Sequence, residues 1–280
     1  MTHEHRKELL DVIAALRLID DTFFHACLAD NVEGMEYILR IILDRPQLVV
    51  REMQTQEDVP NLYGRAVRFD VFATDADGTA YDIEVQRSDG GADPHRARFN
   101  ASMMDTMHVE KGEEWKGLPK VVVIFITEHD VLKGGKPLYH VERTIRELDG
   151  KRFEDDADIL YVNGAFQDDT PLGRLMQDFF CTEPSKMHSG MLAERAAFFK
   201  SDEHGVMTMC KVIEEYAKKV YGPEIEKANA EGRAEGIAEK TLRTIRNQLK
   251  RRVAYADIAS DNETTIDEVM RIAKESNLSY

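Results

Sequence analysis

Cysteine is scarce in this chain. Only Cys27, Cys181 and Cys210 are present, and no two of them form a C-x-x-C pair. An odd, scattered set excludes a disulfide framework and a zinc cluster built on thiolates, so all three are expected to be reduced and buried. Long apolar runs are missing as well, which excludes a helical membrane span. The opening segment MTHEHRKELL lacks the apolar core of a secretory signal, and the expected compartment is the cytoplasm. Positive charge is in deficit: 37 Lys and Arg stand against 52 Asp and Glu, for a net charge of −15. Phosphate contacts need clustered cations, so the surface as a whole cannot serve as a nonspecific nucleic-acid binder. Any such role has to rest on a local patch.

What the chain does have is enough apolar residue, 42% of 280, for a sizeable core and for one large domain with an appendage. No internal repeat is evident. Leu9, Val12, Ile13 and Leu16 have helical spacing over residues 8–20. Met35, Ile38, Leu39, Ile42 and Leu43 form an apolar stripe over 32–44, with Asp30 and Glu33 at capping-box spacing and Pro46 beyond the end. Strands are expected at 48–53, 66–74 and 79–87, a helix at 94–108, and a strand at 121–127, where VVVIFIT reads as buried on both faces. Another short strand is expected at 158–162. From about residue 172 the pattern is helical, with Val206, Met209, Cys210, Ile213, Tyr216 and Val220 in one stripe. This order predicts an α/β fold with a central sheet. Pro223 marks a change to a Glu/Ala/Lys/Arg-rich segment, so the expected division is a domain over 1–222 and a helical extension over 223–280. In that extension Gly232 and Gly236 weaken a long helix, two short helices flank Asp261-Asn262, and Thr265 and Glu268 repeat the capping-box spacing.

The chemistry concentrates in one hairpin, Arg68-Phe69-Asp70-Val71-Phe72-Ala73 followed by Tyr81-Asp82-Ile83-Glu84-Val85-Gln86. A three-residue loop, Ala76-Asp77-Gly78, puts glycine at the left-handed position of a G1-bulge turn. That turn sets Phe72 opposite Asp82, Asp70 opposite Glu84 and Arg68 opposite Gln86. Strict alternation then gives Phe69, Val71 and Ala73 one face and Asp70 and Phe72 the other. Two opposed carboxylates with Cβ atoms roughly 5 Å apart repel each other. They are kept if they share a proton or a cation, and hard divalent ions take oxygen ligands of this kind. The alternative is a solvent-facing pair of ordinary surface acids.

Asp70 followed fourteen residues later by Glu84-Val85-Gln86 resembles the PD-(D/E)XK nuclease pattern. Asp21-Thr22-Phe23-Phe24, Ile38-Leu39-Arg40-Ile41-Ile42-Leu43, Arg68-Phe69-Asp70-Val71, Asp82-Ile83-Glu84-Val85-Gln86, Arg96-Ala97-Arg98-Phe99 and Val123-Ile124-Phe125-Ile126-Thr127 resemble its bacterial recombination-promoting nuclease and transposase branch, over roughly residues 18–215. The resemblance implies a restriction-endonuclease-like core, a mixed central sheet flanked by helices. It implies Mg²⁺ or Mn²⁺ on Asp70 and Glu84, Gln86 orienting a water, and hydrolysis of DNA phosphodiester bonds. Glutamine stands where the wider family has lysine; it can hold a water but offers no charge. Phe69 stands where the family name has proline.

Further residues keep two readings. Asp21 and Glu36 are each either an additional site acid or, respectively, a helix cap and a solvated face. Arg87, Arg96 and Arg98 either contact the DNA backbone or pair with nearby acids. Gln54 and Gln56 either border the site or lie on a strand surface. Lys240, Arg243, Arg246, Lys250, Arg251 and Arg252 fall in a stretch without acids, either a DNA-docking or self-association module or a solvated helix. The function classes left open are a metal-dependent DNA endonuclease, a non-catalytic nucleic-acid- or protein-binding protein on the same fold, and a strand-joining transposase.

Overall fold

The computed structural model describes residues 3–60, 66–109 and 114–279. The chain forms two compact units, Met1–Ile213 and Glu214–Tyr280. In the first, α1 (His3–Ala15), α2 (Asp21–Leu28) and α3 (Val32–Ile42) precede β1 (Val50–Val59), β2 (Val67–Asp75) and β3 (Ala80–Gln86). Then come α4 (Pro94–Met107), β4 (Val121–Thr127), β5 (Leu138–Val141), the short ribbon β6 (Thr144–Ile145) and β7 (Lys151–Arg152), β8 (Ala157–Asn163), α5 (Pro171–Phe180) and α6 (Gly190–Ser201). A long helix, α7 (Glu203–Lys250), runs through the division, with Pro223 inside it.

The main sheet has the order β1-β2-β3-β4-β8-β5. β3, β4 and β8 are parallel neighbours, while β1, β2 and β5 are antiparallel to theirs. This is the mixed sheet with flanking helices that the sequence predicts. β4 shows why: Val122, Ile124 and Ile126 enter one apolar cluster, and Val121, Val123 and Phe125 enter another on the opposite face. The first cluster also takes side chains from α1, α2, α3, α5 and α6, and the second takes Ala97, Ala101, Met103 and Met104 of α4. A strand covered on both faces has no use for polar alternation.

The hairpin register is the expected one over residues 71–74, and the ladder does not reach the expected Asp70–Glu84 and Arg68–Gln86 pairs. Phe72 pairs with Asp82 and Val71 with Ile83, and Gly78 sits at φ +84° after a turn closed by its N–H on the Asp75 carbonyl.

Several expectations need correction. The helix expected over 8–20 ends at Ala15. There Arg17 N–H donates to Asp20 Oδ2 and Asp20 N–H to the Arg17 carbonyl, so the chain turns and restarts as α2. The cap of α3 is Asn31, whose side chain accepts from Gly34 N–H, because Asp30 is left-handed at φ +55° between the helices. Phe69 does not share a face with Val71 and Ala73. It lies in the α4-side cluster, its ring stacked 6.0 Å from that of Phe72. The break in alternation falls at Asp70, where the β1–β2 ladder skips Gln56, itself at φ +57°. Cys181 is half-buried, its thiol donating to the Glu183 carbonyl, while Cys27 and Cys210 are buried as expected. The stripe of α7 packs at Val206, Met209, Cys210 and Ile213, but Tyr216 and Val220 are exposed. β5, β6 and β7 have no legible sequence pattern; they are two to four residues long.

In the second unit, the end of α7 joins α8 (Tyr255–Asp261) and α9 (Ile266–Glu275), the two short helices expected there, around Ile245, Leu249, Ile258, Val269 and Ile272. Thr265 caps α9 by accepting from Glu268 N–H. No helix among the described residues is long and apolar enough to cross a membrane.

Candidate metal centre

β3 is the strand on which the site is built. Tyr81, Ile83 and Val85 fill the core cluster on one face, which turns Asp82, Glu84 and Gln86 toward α4. Asp82 and Glu84 are both fully buried. α4 begins just beyond β3, with Asp93 capping its first turn and Pro94 as its first residue. Its face toward the sheet carries Arg96 and Asn100. Asn100 Nδ2 donates to Asp82 Oδ2 at 2.8 Å and to Glu84 Oε1 at 3.3 Å. Arg96 forms an ion pair with Glu84 Oε2 and donates to the Gly91 carbonyl at 2.8 Å. Gln86 Nε2 donates to the same Glu84 oxygen at 3.1 Å. Gly91 makes room for this, since a Cβ there would collide with Gln86 Oε1.

Asp70 comes from the other strand of the hairpin. Its Oδ2 accepts from Val85 N–H at 3.0 Å. The side chain thus replaces a main-chain acceptor at the point where alternation fails, and it ties β2 to the strand that carries Glu84. Its Oδ1 lies 3.7 Å from His25 Nε2, and His25 Nδ1 lies 3.1 Å from Asp21 Oδ1. Gln56 borders the same group, with its amide nitrogen 3.0 Å from His25 Nδ1.

Burial is the largest influence on all these groups. It pushes the Asp70 carboxyl well above its ordinary range, with the neighbouring charges of Glu84 and Asp21 adding to the shift and the Val85 N–H and Arg96 opposing it. Asp82 is raised well above its range by burial and then by Glu84, against the bond from Asn100. Glu84 is raised by burial, with Arg96 and Gln86 holding the shift down. Burial also lowers His25, opposed by Asp21. The Glu84 charge therefore resists the ionisation of both Asp70 and Asp82.

These residues fit a divalent cation. The buried oxygens of Asp70 and Glu84 are hard donors of the kind such ions take. One ligand atom from each of Asp21, His25 and Asp70 falls within 4.8 Å of the others. Asp82 Oδ1 and His25 Nε2 are buried without a hydrogen-bond partner among the described residues, and buried polar atoms are seldom left so.

Asp70, Glu84 and Gln86 are thus brought together, with Asp21 at the exposed rim. Glu36 is elsewhere: it holds Arg40 at 2.7 Å and accepts from Val50 N–H at 2.9 Å, at the start of β1. Arg96 faces Glu84, and Arg98 is exposed on α4. Arg87 is engaged by Asp20 at 3.0 Å and Glu128 at 3.1 Å, and Arg68 is paired with Asp58 rather than set against Gln86. Sequence reasoning missed His25, Asn100 and the burial of Asp82. His25 lies one helical turn after Asp21, just past the Asp21-Thr22-Phe23-Phe24 motif, which is the one signal that points to it. An open groove of about 880 Å³ beside the acids is lined in part by Arg68, Gly91, His95, Arg96 and Asn100.

Residues 42–165 match the family model of the PD-(D/E)XK nuclease family transposase, whose fold is restriction-endonuclease-like. No curated protein and no solved structure matched the chain.

The raised carboxyl groups fix a sign for stability. A folded-state value above the unfolded one means that the native protein binds the proton more tightly. Stability is then fully present below the unfolded carboxylate range and is lost as pH rises toward the raised folded value. Asp82→Asn is expected to stabilise the cation-free protein at pH 8, with the gain shrinking toward pH 4. Urea unfolding in EDTA at both pH values checks this, and an equal effect at both would contradict it.

Proposed function

Taking the PD-(D/E)XK nuclease family transposase domain as premise, we propose that this chain is a metal-dependent phosphodiesterase that hydrolyses DNA. The observation that carries the reading is the burial of Asp70 and Glu84 in one cluster with Gln86 alongside. Asp70 and Glu84 hold the cation, Mg²⁺ or Mn²⁺. A cation bound there supplies acidification of water and neutralisation of charge developing on the phosphate. Gln86 spans from Glu84 toward Gly91 and orients the attacking water through its amide oxygen. Arg96 supplies the fixed positive charge beside Glu84 that glutamine lacks. The water gives up a proton to solvent as its oxygen bonds to phosphorus, the bond from phosphorus to the leaving sugar oxygen breaks, and that oxygen takes a proton from solvent. The groove along Arg68, His95 and Arg96 receives the nucleic-acid backbone, with Arg98 exposed on the same helix.

The site's arginines are largely occupied by acids, and phosphate attraction needs cations from elsewhere. Lys240, Arg243, Arg246, Lys250, Arg251 and Arg252 are all exposed, at and just beyond the end of α7, whose Ile245 and Leu249 turn into the core of the second unit. We assign this stretch to docking on the DNA backbone.

Supercoiled plasmid is the first substrate to test. The parent protein is expected to nick or cut it with Mg²⁺ or Mn²⁺ and not in EDTA. Asp70→Ala and Glu84→Ala are expected to lose more than about 100-fold, beyond the 10–100-fold typical of residues that only support a metal ligand. Cleavage by Asp70→Ala at the parent rate would reject the site. A folded parent that binds DNA but cleaves no supercoiled, single-stranded or branched form would favour a binding protein on this fold. With end-labelled DNA, joined products would point to strand transfer and free ends to hydrolysis.

Docking has its own test. In EDTA, reversing Arg243 and Lys250 to Glu is expected to weaken duplex binding. It should make the dependence of log K on log salt shallower by about 2, near 0.9 for each phosphate that is no longer neutralised. Unchanged affinity together with an altered oligomeric state would assign the stretch to self-association.

A further inference from the structure

His25 is a buried polar group that the hydrolytic reading leaves without a task. It is 8% exposed, and its Nε2 has no hydrogen-bond partner among the described residues. The ring is held from behind. Asp21, one helical turn earlier on α2, places Oδ1 3.1 Å from Nδ1, and the Gln56 amide reaches the same nitrogen at 3.0 Å. β1 is left-handed at Gln56. A carboxylate on Nδ1 fixes the tautomer that leaves the Nε2 lone pair free, the arrangement that orients histidine ligands in metal sites. The Gln56 amide fits this tautomer when its oxygen rather than its nitrogen faces the ring, an assignment that depends on the hydrogen-bond network. Nε2 points to Asp70, 3.7 Å from Oδ1, the oxygen not taken by Val85 N–H.

We propose that His25 Nε2 is a direct ligand of the cation held by Asp70, oriented by Asp21 and Gln56, and that this nitrogen gives the centre a preference for a first-row transition ion over Mg²⁺. The inference rests on the reading above that Asp70 binds a cation. It adds a donor from α2, on the opposite side of Asp70 from Glu84. Mg²⁺ is served by oxygen and gives up water reluctantly, whereas imidazole suits Zn²⁺, Fe²⁺ and Ni²⁺, and affinity for such a site rises past Mn²⁺ through Co²⁺.

The test reads binding, with no DNA present. Co²⁺ is titrated into the full-length protein and followed by its visible absorption, for the parent, His25→Gln and Asp70→Asn. Circular dichroism checks that each variant is folded. The parent is expected to bind Co²⁺ at least about tenfold more tightly than His25→Gln, and Mg²⁺ should displace the Co²⁺ only at large excess. A second measurement needs no variant: in protein labelled with ¹⁵N-histidine, one ring resonance should shift strongly on adding Zn²⁺ and little on adding Mg²⁺. Loss of Co²⁺ in Asp70→Asn with parental affinity in His25→Gln would overturn the histidine ligand and leave the hydrolytic site standing. A parent that binds no Co²⁺ and shows no ring shift would overturn it as well.

Discussion

Mutual repulsion among buried carboxyl groups is the constraint around which this domain is organised. Asp82 and Glu84 have no solvent exposure and Asp70 little, yet the Glu84 charge raises the cost of ionising both Asp70 and Asp82. Such a set survives only with compensating partners, and local features of the fold supply them. α4 starts close enough to β3 for Arg96 and Asn100 to reach the acids. Gly91 leaves room for Gln86. Asp70 captures the Val85 N–H where the β2 alternation fails. None of these satisfies Asp82 Oδ1 or His25 Nε2.

The hairpin is legible in the sequence because its chemistry is local. The turn fixes the left-handed residue at Gly78, and the register follows from counting residues back along each strand. β4 is legible because VVVIFIT has one reading when both faces are covered. Phe69 is assigned to the wrong face by strict alternation, which assumes an unbroken ladder. The break coincides with Gln56, far away in sequence, which is left-handed and absent from the β1–β2 ladder. Asp70, Glu84 and Gln86 are found through spacing within one hairpin. His25 and Asn100 reach the site from helices, and nothing in the spacing along the chain brings α2 and α4 to opposite sides of the same strands. Glu36 carries no local mark to separate it from a site acid, and its bonds to Arg40 and Val50 emerge only in the folded chain.

The charge distribution follows the same logic. A net charge of −15 opposes contact with a polyanion over most of the surface. Arg68, Arg87 and Arg96 are each tied to an acid. A run of exposed cations gathers instead at the end of α7, in the unit separate from the acids. The proposed cleavage chemistry and the proposed backbone attraction therefore rest on different parts of the chain, and each has its own test.

The most direct measurement is a crystal structure of the protein soaked in Mn²⁺, with anomalous data to locate the ion. The account predicts an anomalous peak at the cluster with an oxygen of Asp70 at about 2.2 Å, within the range expected for such ligands, and with Glu84 turned from Arg96 toward the ion. A Mn²⁺-saturated crystal with no peak at Asp70, and Arg96 still paired to Glu84, would contradict it.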